Sequence, residues 1–166
     1  MESLAGFGEF VTPRFLARSL FIDDAEAVKH LTDDPAITGM VDFLAQPFGM
    51  DDAIGLIKSQ QGGRDRFFGI WNHEGALVAV AGAHLHGDDR IEIGYWVGRA
   101  FHGQGYATEI ALALLSELEK RFQNRQLVAE CRPENGASWA VLRKCGFVPA
   151  GIDGKRAGRQ LLIRPK

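Results

Sequence analysis

The stretch from Arg90 to Phe122 constrains this chain more tightly than any other. It opens with RIEIGYWV, in which Ile91, Ile93, Tyr95 and Val97 alternate with Glu92, Gly94 and Trp96 at the two-residue period of a strand. A glycine-bearing loop, HGQGYAT (His102–Thr108), leads into an amphipathic helix whose apolar positions, Ala107, Ile110, Ala111, Leu114, Leu115, Leu118 and Phe122, follow helical spacing. Strand, small-residue loop and helix start, in that order, suit an anion. Small residues let a ligand approach the backbone, and the first-turn amides lack partners of their own. No Gly-Lys-Ser/Thr follows, so this is not a Walker loop, and the GxGxxG spacing of a dinucleotide fingerprint is absent. Taken alone, the loop is either a phosphate cradle or a tight turn.

The rest of the chain reads as a mixed sheet with helices. Arg14–Phe21 is a first strand, and Asp23-Asp24 caps a helix through Ala25, Val28 and Leu31 that Asp33-Asp34-Pro35 ends. Residues 36–50 carry no clear period. Asp51-Asp52 starts a helix to about Gln61, stopped by Gly62-Gly63. Phe67–Trp71, Ala76–His86 and Arg90–Val97 read as strands with short turns between them, an antiparallel meander. Gln126–Cys131 is a strand, Asn135 caps a helix to Cys145, and Phe147–Ile152 with Gln160–Ile163 make a terminal hairpin.

Composition narrows the class. The 166 residues suit one domain over 1–166, with no repeat or linker. Nineteen basic against twenty-one acidic side chains give a net charge of −2, which argues against nucleic-acid binding. Two cysteines, Cys131 and Cys145, make neither a disulfide framework nor a CxxC metal site, and no metal is expected. No apolar run reaches the length of a membrane span, and the first residues lack the pattern of a signal peptide. The expectation is a cytoplasmic protein.

Beyond the loop comes PENGASWAVLRKCGF (Pro133–Phe147). With IEIGYWV, HGQGYATE and the block Asn135, Ser138, Gly146-Phe147, the sequence resembles the GNAT superfamily of acyl-CoA-dependent N-acetyltransferases, closest to its RimJ/RimL-like branch. TPRFLARSL (Thr12–Leu20) resembles the opening strand of that branch. The resemblance spans nearly the whole chain and is weakest over residues 36–66. It implies an α/β (α+β) GNAT fold: a mostly antiparallel twisted sheet of about six to seven strands, about four helices, and a splayed parallel strand pair that holds acyl-CoA.

The resemblance also assigns roles. The family phosphate motif, Gln/Arg-x-x-Gly-x-Gly/Ala, aligns with His102, Gly105 and Ala107, so His102 is a departure at the first position. The amides of Gly103, Gln104, Gly105, Tyr106, Ala107 and Thr108 are then expected to hold the pyrophosphate of acetyl-CoA. The strand end at Trp96 and Val97 would pair with the pantetheine arm and polarise the thioester carbonyl. Asn135 matches a pantetheine contact and also reads as a plain N-cap; the two are compatible. Ser138 aligns near the thioester sulfur, where either it or water protonates the leaving thiolate. Leu142 stands where many relatives carry a tyrosine acid.

Direct attack by a primary amine needs a base, and Glu92 is the first candidate, against a solvent-facing strand carboxylate. His84 and His86 share a strand face as alternatives, without the third ligand of a metal site. Cys131 reads as a small buried residue, and Arg143 and Lys144 either contact CoA phosphates or end a solvated helix. The acceptor, a peptide N-terminus or small-molecule amine, enters opposite CoA, near residues 30–50 and 150–160. There Phe43, Phe48 and Met50 line a pocket or belong to the core. Lys155, Arg156 and Arg159 read as a solvated hairpin turn or as an attractor for an acidic acceptor. A non-catalytic acyl-CoA-binding module of the same fold is the alternative function. A monomer or homodimer is expected.

Overall fold

The computed structural model describes residues 2–166. In chain order the elements are β1 (Phe10–Val11), β2 (Phe15–Ser19), α1 (Ala25–Thr32), α2 (Pro35–Thr38), α3 (Met50–Lys58), β3 (Asp65–Asn72), β4 (Leu77–His86), β5 (Arg90–Val97), α4 (Tyr106–Arg121), β6 (Gln126–Cys131), α5 (Gly136–Lys144), β7 (Val148–Asp153) and β8 (Gln160–Arg164). The strands form one eight-stranded sheet in the order β1-β2-β3-β4-β5-β6-β8-β7. Every pairing is antiparallel except β5 with β6.

The two-residue period of the strands sorts their side chains onto two cores. Ala79, Ala81 and Ala83 of β4 and Ile91, Ile93 and Val97 of β5 face α4, whose buried stripe is Ile110, Ala111, Leu114, Leu115 and Leu118. Burying each leucine of that stripe contributes about 1.5–3 kcal/mol, which fixes the helix on the sheet. On the opposite face Phe67, Val80 and Trp96 pack with Val28 of α1 and Ala53 and Ile57 of α3.

Two elements exceed the expected count. β1 is two residues long and pairs Phe10 with Ala17 and Val11 with Leu16. α2 is a single turn started by Asp34, whose Oδ1 accepts from the Ala36 amide at 2.9 Å, with Pro35 in the first helical position. Both are too short to show a period. Asp33-Asp34-Pro35 ends α1 and also begins α2, because proline suits a helix start as well as it forbids a helix interior. No helix of the described residues is long and apolar enough to cross a membrane.

The ladder between β5 and β6 is short. Arg90, Ile91 and Glu92 pair with Gln126, Leu127 and Val128, and the pairing stops there. β5 continues to Val97 along β4, and β6 continues to Cys131 along β8. The strands therefore part after Glu92, leaving two facing edges of unpaired backbone from Ile93 and from Ala129 onward.

Candidate active site

A cleft of about 720 Å³ runs from the loop before α4, through the gap between β5 and β6, to Glu92 and Arg156 on the other side of the sheet. At one end, Gly103 and Gly105 both take φ of +75°, a left-handed conformation that glycine adopts without strain. The first intrahelical bond of α4 runs from the Glu109 amide to Gly105 O at 3.2 Å. The amides of Tyr106, Ala107 and Thr108 thus have no acceptor within the helix. The His102 amide is already taken by Arg99 O at 3.3 Å, and its Nε2 lies 2.7 Å from Val97 O. Its ring closes the loop onto the end of β5.

Arg14, which sequence reading passed over, holds this loop from below. Its Nη1 donates to Gln104 O at 3.0 Å, its Nε to Glu109 Oε1 at 2.7 Å, and its guanidinium lies 4.6 Å from the Tyr106 ring centre. Thr12 Oγ1 donates to the other Glu109 oxygen at 2.5 Å. Burial pushes the Glu109 carboxyl up, but the Thr12 and Arg14 hydrogen bonds outweigh it and hold the group below the usual carboxylate range. Only the folded chain joins these residues, which stand far apart in sequence.

Tyr95 and Ser138 meet at the gap. Tyr95 Oη lies 3.1 Å from Ser138 Oγ, and burial pushes the phenol well above its ordinary pKa. Ser138 sits in the first turn of α5, where its amide donates to Asn135 Oδ1 at 3.2 Å. Asn135 is therefore the helix cap that the sequence suggests, and it lines the cleft as well. Leu142 is buried core at 2% exposure, and the phenol that meets Ser138 is that of Tyr95 on β5. Tyr95 escaped notice because it lies in an apolar stripe and its partner is on another element. Cys131 is buried, which pushes its thiol up and away from a reactive thiolate. Lys144 lines the cleft; Arg143 is exposed.

On the opposite face Glu92 is buried at 8% exposure, not turned to solvent. Arg156 Nη2 donates to its Oε2 at 2.9 Å, and His86 Nε2 lies 3.4 Å from its Oε1. The Arg156 amide donates to Glu130 Oε1 at 3.1 Å. Burial raises the Glu130 carboxyl, but the Arg156 and Lys155 amides and the Arg156 guanidinium hold it low. Arg159, at 9% exposure, donates to Asp42 Oδ2 at 2.8 Å, and Arg132 pairs with the other oxygen of Asp42. Arg156 and Arg159 are thus not a solvated turn. Both point inward because Glu92 of β5, Glu130 of β6 and Asp42 of the connection between α2 and α3 face the same loop. His84 Nδ1 lies 2.7 Å from Asp65 Oδ1, which holds that carboxyl low.

The aromatic residues of this region divide. Phe48 is core at 2% exposure; Phe43 packs on Trp96 with ring centres 5.9 Å apart yet stays 49% exposed at the cleft. Met50 starts α3 and is exposed. Trp96 turns its side chain to this face and donates from Nε1 to Thr32 Oγ1 at 3.0 Å. Its backbone lies in the ladder with Val80 of β4, whereas the next residue, Val97, turns its amide and carbonyl to the side of the strand gap, where His102 Nε2 meets Val97 O.

The parting parallel strand pair, with a glycine loop at the start of the intervening helix, is the arrangement that the sequence resemblance implies. The family model described as an acetyltransferase (GNAT) domain matches residues 14–148, and the chain belongs to that family. It is 28% identical over 144 residues to the uncharacterized N-acetyltransferase YnaD of Bacillus subtilis (strain 168), covering 85% of this chain and 83% of that protein. It is 26% identical over 98 residues to the ribosomal-protein-serine acetyltransferase of Escherichia coli (strain K12), covering 58% and 55% of the two chains. The fold is shared with the microcin C7 self-immunity acetyltransferase MccE, solved with acetyl-CoA and AMP. There the TM-score is 0.81, with 21% identity and 99% of each chain covered.

Proposed function

We propose that the protein transfers an acetyl group from acetyl-CoA to a primary amine by direct attack, within the RimJ/RimL-like branch. The observation that carries this reading is the loss of β5–β6 pairing after Glu92 and Val128, in line with the glycine cradle at Gly103–Gly105. An extended pantetheine arm can pair with a free strand edge as an added strand does. The residues present fit the cofactor at both ends. The amides from Gly103 to Thr108 would hold the pyrophosphate at the positive end of a 16-residue helix, and Asn135 would contact the arm. A backbone amide near Trp96 and Val97 would polarise the thioester carbonyl.

Glu92 takes the amine proton. Its Oε2 is occupied by Arg156, while Oε1 has only the long His86 contact and is the oxygen available to act as base. The amine nitrogen then bonds to the acetyl carbon, and the carbon–sulfur bond breaks. The nitrogen loses its second proton to solvent as the amide forms, the thiolate takes one proton by way of Ser138, and solvent restores the Ser138–Tyr95 pair, whose oxygens lie 3.1 Å apart. The acceptor, a peptide N-terminus or small amine, reaches the thioester from the Glu92 face.

Release of free thiol from acetyl-CoA on adding an amine tests catalysis. Acetyl-CoA binding without thiol release, across an amine panel, would leave a binding module and overturn the enzyme.

A further inference from the structure

Resting on Glu92 as the base, we infer that the acceptor is a monoamine on a flat, apolar or aromatic body, and that Gly94 sets this preference. On the acceptor face, the antiparallel ladder places His84 opposite Glu92, Gly82 opposite Gly94, and Val80 opposite Trp96. Two glycines thus lie side by side in the middle of the sheet, beside the carboxylate. Glycine in a strand interior weakens the strand and often marks a close approach of another group.

The two glycines differ in why they are there. A Cβ on Gly82 would come 2.8 Å from His84 Nε2 and 3.2 Å from the Phe67 ring, so neighbouring side chains demand glycine. A Cβ on Gly94 would meet nothing within 4 Å. The protein's own packing does not require glycine there, and the bare backbone opens into the cleft. Three rings bound the space: Trp96 and Phe67, with centres 6.3 Å apart, and Phe43, 5.9 and 6.5 Å from them. Phe43 offers an exposed aromatic edge.

Charge argues against a second ammonium. Each carboxylate around the slot has a partner: Glu92 has Arg156 and His86, Glu130 has Arg156, and Asp65 has His84. Lys155, 3.4 Å from His86, adds a further cation. A polyamine would leave its remote charges against the Arg156 and Lys155 cations, whereas an aromatic ring gains apolar contact with the slot.

The test compares 2-phenylethylamine, n-propylamine and spermidine as acceptors, by thiol release from acetyl-CoA. Phenylethylamine is expected to exceed both in kcat/KM by more than about tenfold, since one methylene in an apolar pocket already changes specificity by about ten- to two-hundredfold. Gly94→Val should collapse the phenylethylamine-to-propylamine ratio, a readout that a general loss of cofactor binding leaves unchanged. Gly94→Ala reads the same effect at smaller amplitude if the valine variant does not fold. Spermidine ranking first, or a flat ranking, overturns the slot and leaves acetyl transfer standing. Thermal shift by phenylethylamine on the CoA-bound protein, without turnover, keeps the slot and overturns the transfer reading. Neither shift nor turnover overturns the slot.

Discussion

Tyr95 Oη lies 3.1 Å from Ser138 Oγ, joining β5 to the first turn of α5 across the gap where β5 and β6 stop pairing. Burial raises the phenol, so it remains a proton donor throughout the neutral range. Ser138→Ala is expected to lower kcat by about tenfold, less than the hundredfold or more of a required general acid, because a thiolate leaves well unaided. Tyr95→Phe should lower it less, and the double variant should cost less than the sum of the two, since they act as one unit. Steady-state kinetics on the three variants checks this; unchanged kcat in all three removes the pair from the reaction.

Glu92 gives a pH signature. An amine substrate is mostly protonated near neutrality and loses its proton unaided as pH rises toward about 10. Glu92→Gln should therefore depress the rate most at mildly acidic pH, with the defect shrinking at alkaline pH. A defect that is constant with pH would give Glu92 a purely structural place beside Arg156.

Gly105 sits in the proposed phosphate cradle. With φ at +75°, any side chain there is strained by about 1–2 kcal/mol, and a carboxylate also repels phosphate. Gly105→Glu should abolish acetyl-CoA binding in calorimetry while the fold survives by circular dichroism. Unchanged affinity would move the pyrophosphate elsewhere.

Asp24 anchors stability rather than chemistry. Arg18 grips both its oxygens at 2.9 and 3.0 Å, and the Phe21 amide donates to it at 2.8 Å. Burial raises the carboxyl, but Arg18 and the Phe21 amide hold it below its ordinary value. A folded pKa below the unfolded one means stabilisation that is full above the unfolded value and is lost as pH falls through the folded one. Asp24→Asn should cost about 1.5–3 kcal/mol at neutral pH in denaturant unfolding. The gap should begin to narrow near about pH 4, where the unfolded carboxylate takes its proton, and close only as pH falls through the lower folded value.

Long periodic elements were legible in the sequence: β5 runs over the residues its alternation marks, α4 follows its apolar stripe, and β6 spans the expected Gln126–Cys131. β1 and α2 were not, being shorter than one full period. At the site, the glycine loop that opens α4 was legible because a loop and the helix it opens are neighbours in sequence. Arg14 beneath it, Tyr95 beside Ser138 and the inward turn of Arg156 were not. Each is defined by a partner on a distant element, Glu109, Ser138 or Glu92, and residue type alone names no partner. Arg156 and Arg159 read as solvated for the same reason: their positive charge was visible, but the carboxylates converging on it were not.

The central claim is that the cleft takes acetyl-CoA. A thermal-shift titration, with ATP and NAD as controls, tests it most directly. At a hundredfold excess over Kd, binding adds about 2.7 kcal/mol. For a chain of this size that raises Tm by roughly 5–11 °C. Such a rise is expected with acetyl-CoA and none with the controls. No rise at saturating acetyl-CoA, or an equal rise with ATP, would contradict it.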